Sequence, residues 1–243
     1  MRWDNKKGFL LHSAPYGETS LLVDLYTHEY GRVRCIAKGF RKPNKRGGSR
    51  SIFPHLEYLF NWHGRSELKT LSSAEALETP KFLQEDSLYV GLYINELIYR
   101  LFAVQDSSEN FYYEYKKFVN NLFRCGPTEP QLRTIEIKLL RELGYGLVLD
   151  SEAGTGNRLE PDRYYSYVPQ TGLKSMEDKT VKNCLLGRDL LDLVDGNFST
   201  ATSLKTARIV LRAAIDFYLE GKPIHSRKLY SDYKKSLTNV SMD

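Results

Sequence analysis

The sequence predicts an α+β protein of two domains, a small closed antiparallel barrel in residues 1–80 followed by an all-helical domain in residues 81–243. In the first eighty residues, short segments rich in β-branched, aromatic and aliphatic residues alternate with turn signals. Beyond Pro80, apolar residues recur at the three- and four-residue spacing of helices. With 243 residues and 41% apolar content, the chain is long enough to bury a sizeable core.

Five segments of the N-terminal part are candidate strands. They are GFLLH, SLLVDLYT, RVRCIA, LEYLFNW and LKTLS, separated by the turn signals SAPYGE and HEYG, a long basic loop, and HGRSE. Closing five short strands into a barrel removes the exposed edges of an open sheet, although an SH3-like barrel is a competing shape. The period of two places Leu56, Tyr58, Phe60 and Trp62 on one face of the fourth strand.

Three segments of the C-terminal part have helical periodicity. The first, DSLYVGLYINELIYRLF, is apolar enough to be buried on most sides. The second, TEPQLRTIEIKLLRELGYG, opens with a capping box of Thr128 and Gln131 and stops at Gly144. The third, LKTARIVLRAAIDFYLEG, stops at Gly221 with Pro223 just beyond. Between the second and third helices, residues from about 146 to 175 form a loop-rich insertion with room for one short hairpin.

The excess positive charge is concentrated in the predicted barrel. Residues 1–80 hold 13 Lys and Arg against 8 Asp and Glu, which accounts for the whole net charge of +5. The stretch RVRCIAKGFRKPNKRGGSR, residues 32–50, contains eight of these cations and no acidic residue. Such asymmetry is typical of a module that faces a polyanion, and the alternative is a merely solvated basic loop.

The residues predicted to bind nucleic acid belong to this basic segment. They are Arg32 and Arg34 on the third strand and Lys38, Arg41, Lys42, Lys45, Arg46 and Arg50 in the following loop. Glycines 47 and 48 would let the loop follow a phosphate backbone. Among nearby aromatic residues, Phe40 is the stacking candidate because it lies between basic residues where little burial is available, whereas Tyr58 and Trp62 are better explained as barrel core.

Enzyme signatures are absent from the sequence. There is no P-loop, G-x-S-x-G or H-E-x-x-H motif, and the five histidines are scattered. We therefore predict a binding protein without a catalytic residue or a cofactor. Three cysteines without a C-x-x-C pair exclude a disulfide framework and a four-cysteine zinc site, which favours the reducing cytoplasm. No apolar stretch approaches the roughly 18 residues that cross a bilayer, so no membrane association is expected.

Five motifs, in the same order, resemble the bacterial recombination mediator family RecO across nearly the whole chain. They are HSAPYGETSLLVDLYTHEYGRVRCIAKGFR, LKTLSSAEA, GLYINEL, ELGYG and GKPIHSRKLY. The resemblance implies an N-terminal OB-fold followed by a helical domain. It also implies binding of single- and double-stranded DNA, strand annealing, and cooperation with RecR in loading RecA onto DNA coated by single-strand binding protein (SSB). A cytoplasmic protein associated with the nucleoid is then expected.

The resemblance also bears on a metal and on a partner. Many family members hold zinc with four cysteines after LGYG, but residues 146–163 contain none here, so the chain resembles the zinc-free branch and we predict no metal. The family binds the acidic, phenylalanine-ending tail of SSB, and Arg133 matches the position implied to hold its terminal carboxylate. The alternative for Arg133 is an ordinary exposed helix arginine.

The sequence is also compatible with a second basic stripe and with two other functions. The stripe consists of Lys205, Arg208 and Arg212 on the last predicted helix, and it would extend the DNA path, meet a partner, or form a solvated face. An OB-fold RNA-binding protein is the alternative binding function. A nuclease that uses acidic residues and a divalent metal is the enzymatic alternative.

Overall fold

The computed structural model describes residues 1–42, 51–145, 147–177 and 183–240. Five strands lie within the first eighty residues. They are β1 (Arg2–Tyr16), β2 (Ser20–Thr27), β3 (Gly31–Ala37), β4 (Glu57–His63) and β5 (Lys69–Ala76). The five predicted strands are confirmed, and β1 extends six residues further toward the N-terminus than the segment GFLLH indicated.

The five strands close into a barrel with the order β1-β2-β3-β5-β4. The long β1 pairs with β2 through its second half and with β4 through its first half. A short parallel ladder between β3 and β5, from Cys35↔Lys69 to Ala37↔Leu71, joins the two ends of the sheet. The barrel is an OB-fold, and the predicted α+β class is confirmed.

The barrel interior is filled by side chains that alternate along each strand. On β4, Tyr58, Phe60 and Trp62 are at most 3% exposed, which confirms the face predicted from the period of two. Cys35 on β3 belongs to the same core cluster, and burial raises the pKa of its thiol to about 12. This cysteine is therefore unreactive at neutral pH.

Six helices and a small sheet follow in the described part of the chain. The helices are α1 (Glu85–Leu101), α2 (Glu109–Cys125), α3 (Glu129–Glu142), α4 (Gly187–Asp195), α5 (Ala201–Tyr218) and α6 (His225–Val240). The strands β6 (Tyr164–Val168), β7 (Gly172–Met176) and β8 (Leu185–Leu186) form a three-stranded sheet. The β6–β7 hairpin of this sheet is the short hairpin expected in the loop-rich insertion.

Helices α1, α3 and α5 are the three that the sequence predicts. Thr128 caps α3 by accepting a hydrogen bond from the Gln131 backbone N–H at 3.4 Å. Within the described ranges, the Oε1 atom of Gln131 is buried without a hydrogen-bond partner, so the reciprocal half of the capping box is not formed. Gly144, at φ 74°, ends the helix in the left-handed conformation that favours glycine.

The contacts divide the chain into two compact units. The first contains the barrel, α1 and α2, spanning Met1–Pro127, together with the C-terminal stretch that begins at Ile224 and includes α6. The second spans Thr128–Pro223 and contains α3, α4, α5 and the three-stranded sheet. The sequence-based division at residue 80 stays a prediction.

In the first unit, α1 and α2 cover part of the outer surface of β1 and β2. The Phe9 ring on β1 lies 5.0 Å from Tyr115, and the Tyr26 ring on β2 lies 5.6 Å from Phe102, measured between centroids. The buried Asn95 of α1 donates to a β1 carbonyl and accepts from the Tyr115 hydroxyl at 2.5 Å. One part of the barrel surface is therefore unavailable to a ligand.

In the second unit, a core of aliphatic side chains joins α3, α4 and α5. Leu139, Leu190 and Leu211, one from each helix, are fully buried. The Thr202 hydroxyl of α5 donates to Asp189 of α4 at 2.9 Å. Among the described helices of the whole chain, none is both long enough and apolar enough to cross a membrane.

Candidate nucleic-acid interface

The register of β1, β2 and β3 determines which residues share the outer surface of the barrel. Val23 and Leu25 point into the core, so Asp24 between them points outward, and so do Leu22 and Ser20. Directly paired residues of antiparallel strands lie on the same side. This places four rows on the outer surface. The row Phe9–Tyr26–Arg32 lies under α1 and α2, and the other three are His12–Asp24–Arg34, Ala14–Leu22–Ile36 and Tyr16–Ser20.

The two rows farthest from α1 and α2 form what we term the open face. Continuing the β2–β3 register brings Lys38 level with Ser20. The open face is defined by residues Ala14, Tyr16, Ser20, Leu22, Ile36 and Lys38, with Arg34 at its edge. Tyr16 and Lys38 are exposed, and Leu22 and Ile36 are half-buried. In OB-folds, the surface of strands 2 and 3 and the adjoining loops hold oligonucleotides.

Arg32 and Arg34, two of the predicted DNA-binding residues, share the buried carboxylate of Asp24. The Nε atoms of Arg32 and Arg34 lie 3.6 and 3.3 Å from Asp24 Oδ1. The Arg32 guanidinium also donates to the Tyr99 carbonyl of α1, and its side chain is only 12% exposed. Arg32 therefore joins the barrel to α1, whereas Arg34, with a side chain 34% exposed, still presents charge at the edge of the open face.

The first residues of the basic loop are held against the β1–β2 turn. The Arg41 backbone N–H donates to the Thr19 carbonyl, and the Arg41 Nη1 donates to the Gly17 carbonyl, both at 3.0 Å. Lys38, Arg41 and Lys42 are all exposed. The structure thus brings three predicted cations to one end of the open face. Lys45, Arg46 and Arg50 lie outside the described residues.

The prediction for Phe40 requires a correction. Phe40 is only 8% exposed and belongs to the barrel core cluster, so the expectation that little burial would be available to it is wrong. Gly39 adopts a left-handed conformation at φ 73°. This turn directs Phe40 into the core while Lys38 and Arg41 on either side remain in water.

Tyr16 is an exposed aromatic residue of the open face that sequence reasoning missed. It is the last residue of β1 and is 48% exposed. The motif SAPYGE is typical of a turn, and it also contains an aromatic residue just before Gly17. Only the strand register shows that this residue lies on the same surface as Lys38.

Arg133 on α3 is buried within the second unit. Its Nη1 donates to Glu136 Oε2 at 2.6 Å, its Nε lies 3.7 Å from Glu129 Oε1, and the residue is 9% exposed. The alternative of an ordinary exposed helix arginine is therefore wrong. The role of Arg133 in holding a carboxylate stays a prediction.

The second basic stripe is exposed on α5, but acidic neighbours reduce its net charge. Arg208 donates through Nε and Nη2 to Glu129 Oε1 at 2.9 and 2.6 Å, and Arg212 lies 3.6 Å from Asp216. Arg212 also borders a cavity of about 290 Å³. A role of Lys205, Arg208 and Arg212 in DNA binding stays a prediction.

The described residues do not form a metal-binding cluster beside the open face. In the four described ranges, no three His, Cys, Asp or Glu side chains converge as metal ligands would. The open face combines cationic groups, an exposed aromatic ring and an apolar strip formed by Ala14, Leu22 and Ile36. These features define an OB-fold protein whose barrel carries a basic surface and which continues into helical segments.

Comparison with known families identifies the chain more closely. The family model for the N-terminal part of recombination protein O matches residues 1–80, and the model for its C-terminal part matches residues 84–228. The DNA repair protein RecO of Salmonella enteritidis is 36% identical over 236 residues, covering 96% of this chain and 96% of the relative. Those of Pseudomonas aeruginosa and Nitrosospira multiformis are 36% and 34% identical, covering 94% and 96% of this chain and 95% and 97% of theirs.

The chain belongs to the RecO family of DNA repair and recombination proteins. Membership supports a role as a recombination mediator in DNA repair. The resemblance predicted from five sequence motifs is therefore confirmed.

Proposed function

We propose that this protein binds single- and double-stranded DNA through the open face and the adjoining basic loop, and that it anneals complementary strands. The observation that carries the proposal is the convergence of Lys38, Arg41 and Lys42 at one end of the open face of an OB-fold barrel. The charge of these groups is complementary to phosphate, and the barrel surface is of the kind that OB-folds use for oligonucleotides.

Annealing by such a surface needs no covalent step. Two DNA strands repel each other through their phosphates, and cations that neutralise the phosphates lower this barrier. Contacts to the phosphate backbone leave the base edges free to pair. We therefore propose a mediator that acts by binding, without catalytic residues and without a cofactor.

We further propose that the protein acts with RecR to load RecA onto SSB-coated DNA at the nucleoid. We also propose that Arg133 binds the SSB tail. Family membership supports both proposals. Because Glu136 and Glu129 already contact the Arg133 guanidinium, the tail carboxylate would have to compete with them for its donors. Tail-peptide affinity of Arg133→Ala, compared with that of the control Arg188→Ala, whose exposed arginine pairs with Asp162, tests this assignment in variants shown to be folded.

The proposal is tested by annealing of two complementary labelled oligonucleotides, free or coated with SSB. The test variant changes Arg41, Lys42, Lys45 and Arg46 to Gln, and the control variant Arg188→Gln removes an exposed arginine paired with Asp162 in the second unit. Rapid annealing by the wild type and the control, with loss in a folded test variant, is expected. Annealing by all three proteins would show that the DNA path lies elsewhere.

The same oligonucleotides distinguish the two other functions. Tighter binding of RNA than of DNA of equal length would favour an RNA-binding role. Shortening of a labelled strand only when Mg²⁺ is added would reveal a metal-dependent nuclease. We expect DNA binding at least as tight as RNA binding, and an intact strand.

A further inference from the structure

We propose that Tyr16 is a base-stacking residue for single-stranded DNA on the open face. The inference rests on the proposed function and adds to it the atoms that contact a base. Phosphate neutralisation explains attraction to any nucleic acid, whereas stacking requires an accessible aromatic ring beside the cations. Tyr16 is the aromatic residue of the open face that meets both conditions.

The strand register determines the side of the barrel on which Tyr16 lies. Pro15 pairs with Leu21, which packs against the barrel core, and Tyr16 pairs with Ser20 on the opposite, outer side. In the part of the chain that the structure describes, the Tyr16 ring makes no ring contact, whereas Trp3, Tyr30 and Trp62 pack against one another. With 48% of its surface exposed, the ring has a free side for a partner.

The charged groups around Tyr16 favour a phosphate backbone. Lys38 lies across Ser20 from it, and the Arg41 guanidinium donates to the carbonyl of Gly17, the residue that follows Tyr16. Lys42 comes next to Arg41 and is exposed. Glu18 at the tip of the turn is the carboxylate nearest to Tyr16 in the sequence. The three cations Lys38, Arg41 and Lys42 outnumber this single negative charge.

Two other exposed aromatic residues of the first unit lack this setting. Phe82 is 56% exposed, but it packs edge-on against Phe53 and is followed closely by Glu85 and Asp86, which repel phosphates. Tyr113 on α2 is 54% exposed and lies beside His28 at the far end of β2. Across about seven residues of a strand, that end is roughly 23 Å from the Ser20 end.

A single strand is the form of DNA that this arrangement fits. Its bases present their faces, and every base has a face that can stack on a tyrosine ring. In a duplex the base faces are occupied by neighbouring pairs, so the same surface would contact only phosphates and sugars. Tyr16 should therefore increase affinity for single strands more than for duplexes.

The test measures equilibrium binding by fluorescence anisotropy at several salt concentrations, with the full-length protein. The probes are an oligothymidine, an abasic strand with the same number of phosphates, and a duplex. Tyr16→Ala and Tyr16→Leu should weaken oligothymidine binding about 5- to 150-fold, because stacking of a base is worth about 1–3 kcal/mol. Tyr16→Phe should bind like the wild type, and so should the matched control Tyr113→Ala.

Two further results are expected if the effect is stacking. The abasic strand should bind Tyr16→Ala and the wild type equally, because it has no base that could stack on the Tyr16 ring. The dependence of log K on log salt should keep the same slope in all variants, because no phosphate contact is removed.

The outcomes separate this inference from the proposed function. Equal oligothymidine binding by wild type and Tyr16→Ala, or an equal loss on the abasic strand, would overturn the stacking role while leaving DNA binding intact. Retention of affinity by Tyr16→Leu would overturn it too, because an apolar contact would then suffice. If the wild type binds neither single strand nor duplex, the proposed function itself fails, and the inference with it.

Discussion

Glu96 and Ser226, 130 positions apart in the sequence, are joined by two hydrogen bonds. The Ser226 backbone N–H and hydroxyl donate to Glu96 Oε2 at 2.8 and 2.7 Å. The other carboxylate oxygen accepts from the His225 backbone N–H at 2.9 Å and lies 3.3 Å from the Arg100 guanidinium. Burial alone would raise the pKa of Glu96, but these donors bring it below its usual value of 4.5. The carboxylate thus caps the first turn of α6 and holds that helix to α1.

Changing Glu96→Ala should release α6 and lower the free energy of unfolding by about 2–3 kcal/mol, because donors to a charged acceptor lose their partner. Denaturant titration measures this loss, and hydrogen exchange should show faster exchange in residues 225–238. Glu142→Ala, an exposed helical glutamate of α3, is the matched control. Because the folded-state pKa is lowered, the contribution of Glu96 is present at neutral pH and is lost as the pH falls below 4.5. A fully protected α6 in Glu96→Ala would contradict this prediction.

Lys38→Gln and Lys42→Gln should each reduce the salt dependence of single-strand binding. Each side chain is exposed beside the open face and is expected to contact one phosphate. Removing one phosphate contact should make the slope of log K against log salt shallower by about 0.7. Arg188→Gln should leave the slope unchanged. Slopes identical to the wild type in both lysine variants would show that these groups are only solvated.

Arg133→Ala should destabilise the second unit by about 3 kcal/mol, since the change removes the cation that lies 2.6 Å from the buried Glu136 carboxylate. Thermal and denaturant unfolding measure the loss. The double variant Arg133→Met with Glu136→Met replaces both charges by apolar groups and should recover at least half of it. If the single variant is as stable as the wild type, the pair contributes nothing to folding, and a change in tail binding can be assigned to direct contact.

His55 should make stability depend on pH between 6.5 and 4. The residue is 3% exposed beside Gly91 of α1, and burial lowers its pKa from 6.5 to about 4. The unfolded chain therefore binds a proton that the folded chain does not, and stability falls as the pH drops through this window. From pH 7 to pH 5 the loss should be about 2 kcal/mol.

His55→Asn is the matched variant for this measurement, because asparagine tolerates the positive φ of 66° at this position. It should show a smaller loss between pH 7 and pH 5, whatever constant offset the substitution adds. Parallel stability curves for wild type and variant over that range would rule out His55 as the source of the pH dependence.

The barrel could be predicted because apolar and polar residues alternate along its strands. The pairing of charged residues on neighbouring strands was overlooked. The turn HEYG implies that Thr27 faces Gly31, and counting back along the hairpin then places Asp24 opposite Arg34. A count of basic residues between 32 and 50 does not include this carboxylate on the neighbouring strand. Such a count therefore does not show that Arg32 and Arg34, which are predicted to bind DNA, both contact Asp24.

Helix α2 was missed although its signal is present in the sequence. Phe111, Tyr115, Phe118 and Leu122 follow helical spacing, and Ser108 caps the helix by accepting from the Phe111 N–H at 3.0 Å. The abundance of aromatic residues, which favour strands, obscured this pattern. Tertiary contacts can override such a local preference.

Helix α6 could not be predicted with the same ease because its stabilising partners are distant in sequence. Its segment is largely polar, and its contacts with α1 are made by Glu96 and by Tyr89, whose ring stacks on Tyr233 at 4.7 Å between centroids. The burial of Phe40 was hidden for a related reason. Only the backbone conformation of Gly39 shows that the chain turns back over the barrel.

The assignment of α6 to the first unit has a consequence for biosynthesis. A ribosome releases the barrel, α1 and α2 early, but the residues that complete their unit emerge only after the whole of the second unit. Thr128–Pro223 is continuous in the chain and can therefore fold before α6 emerges. Before α6 is synthesised, Tyr89 and the Glu96 carboxylate lack their partners on that helix. The first unit therefore begins to form before the second unit and is completed after it.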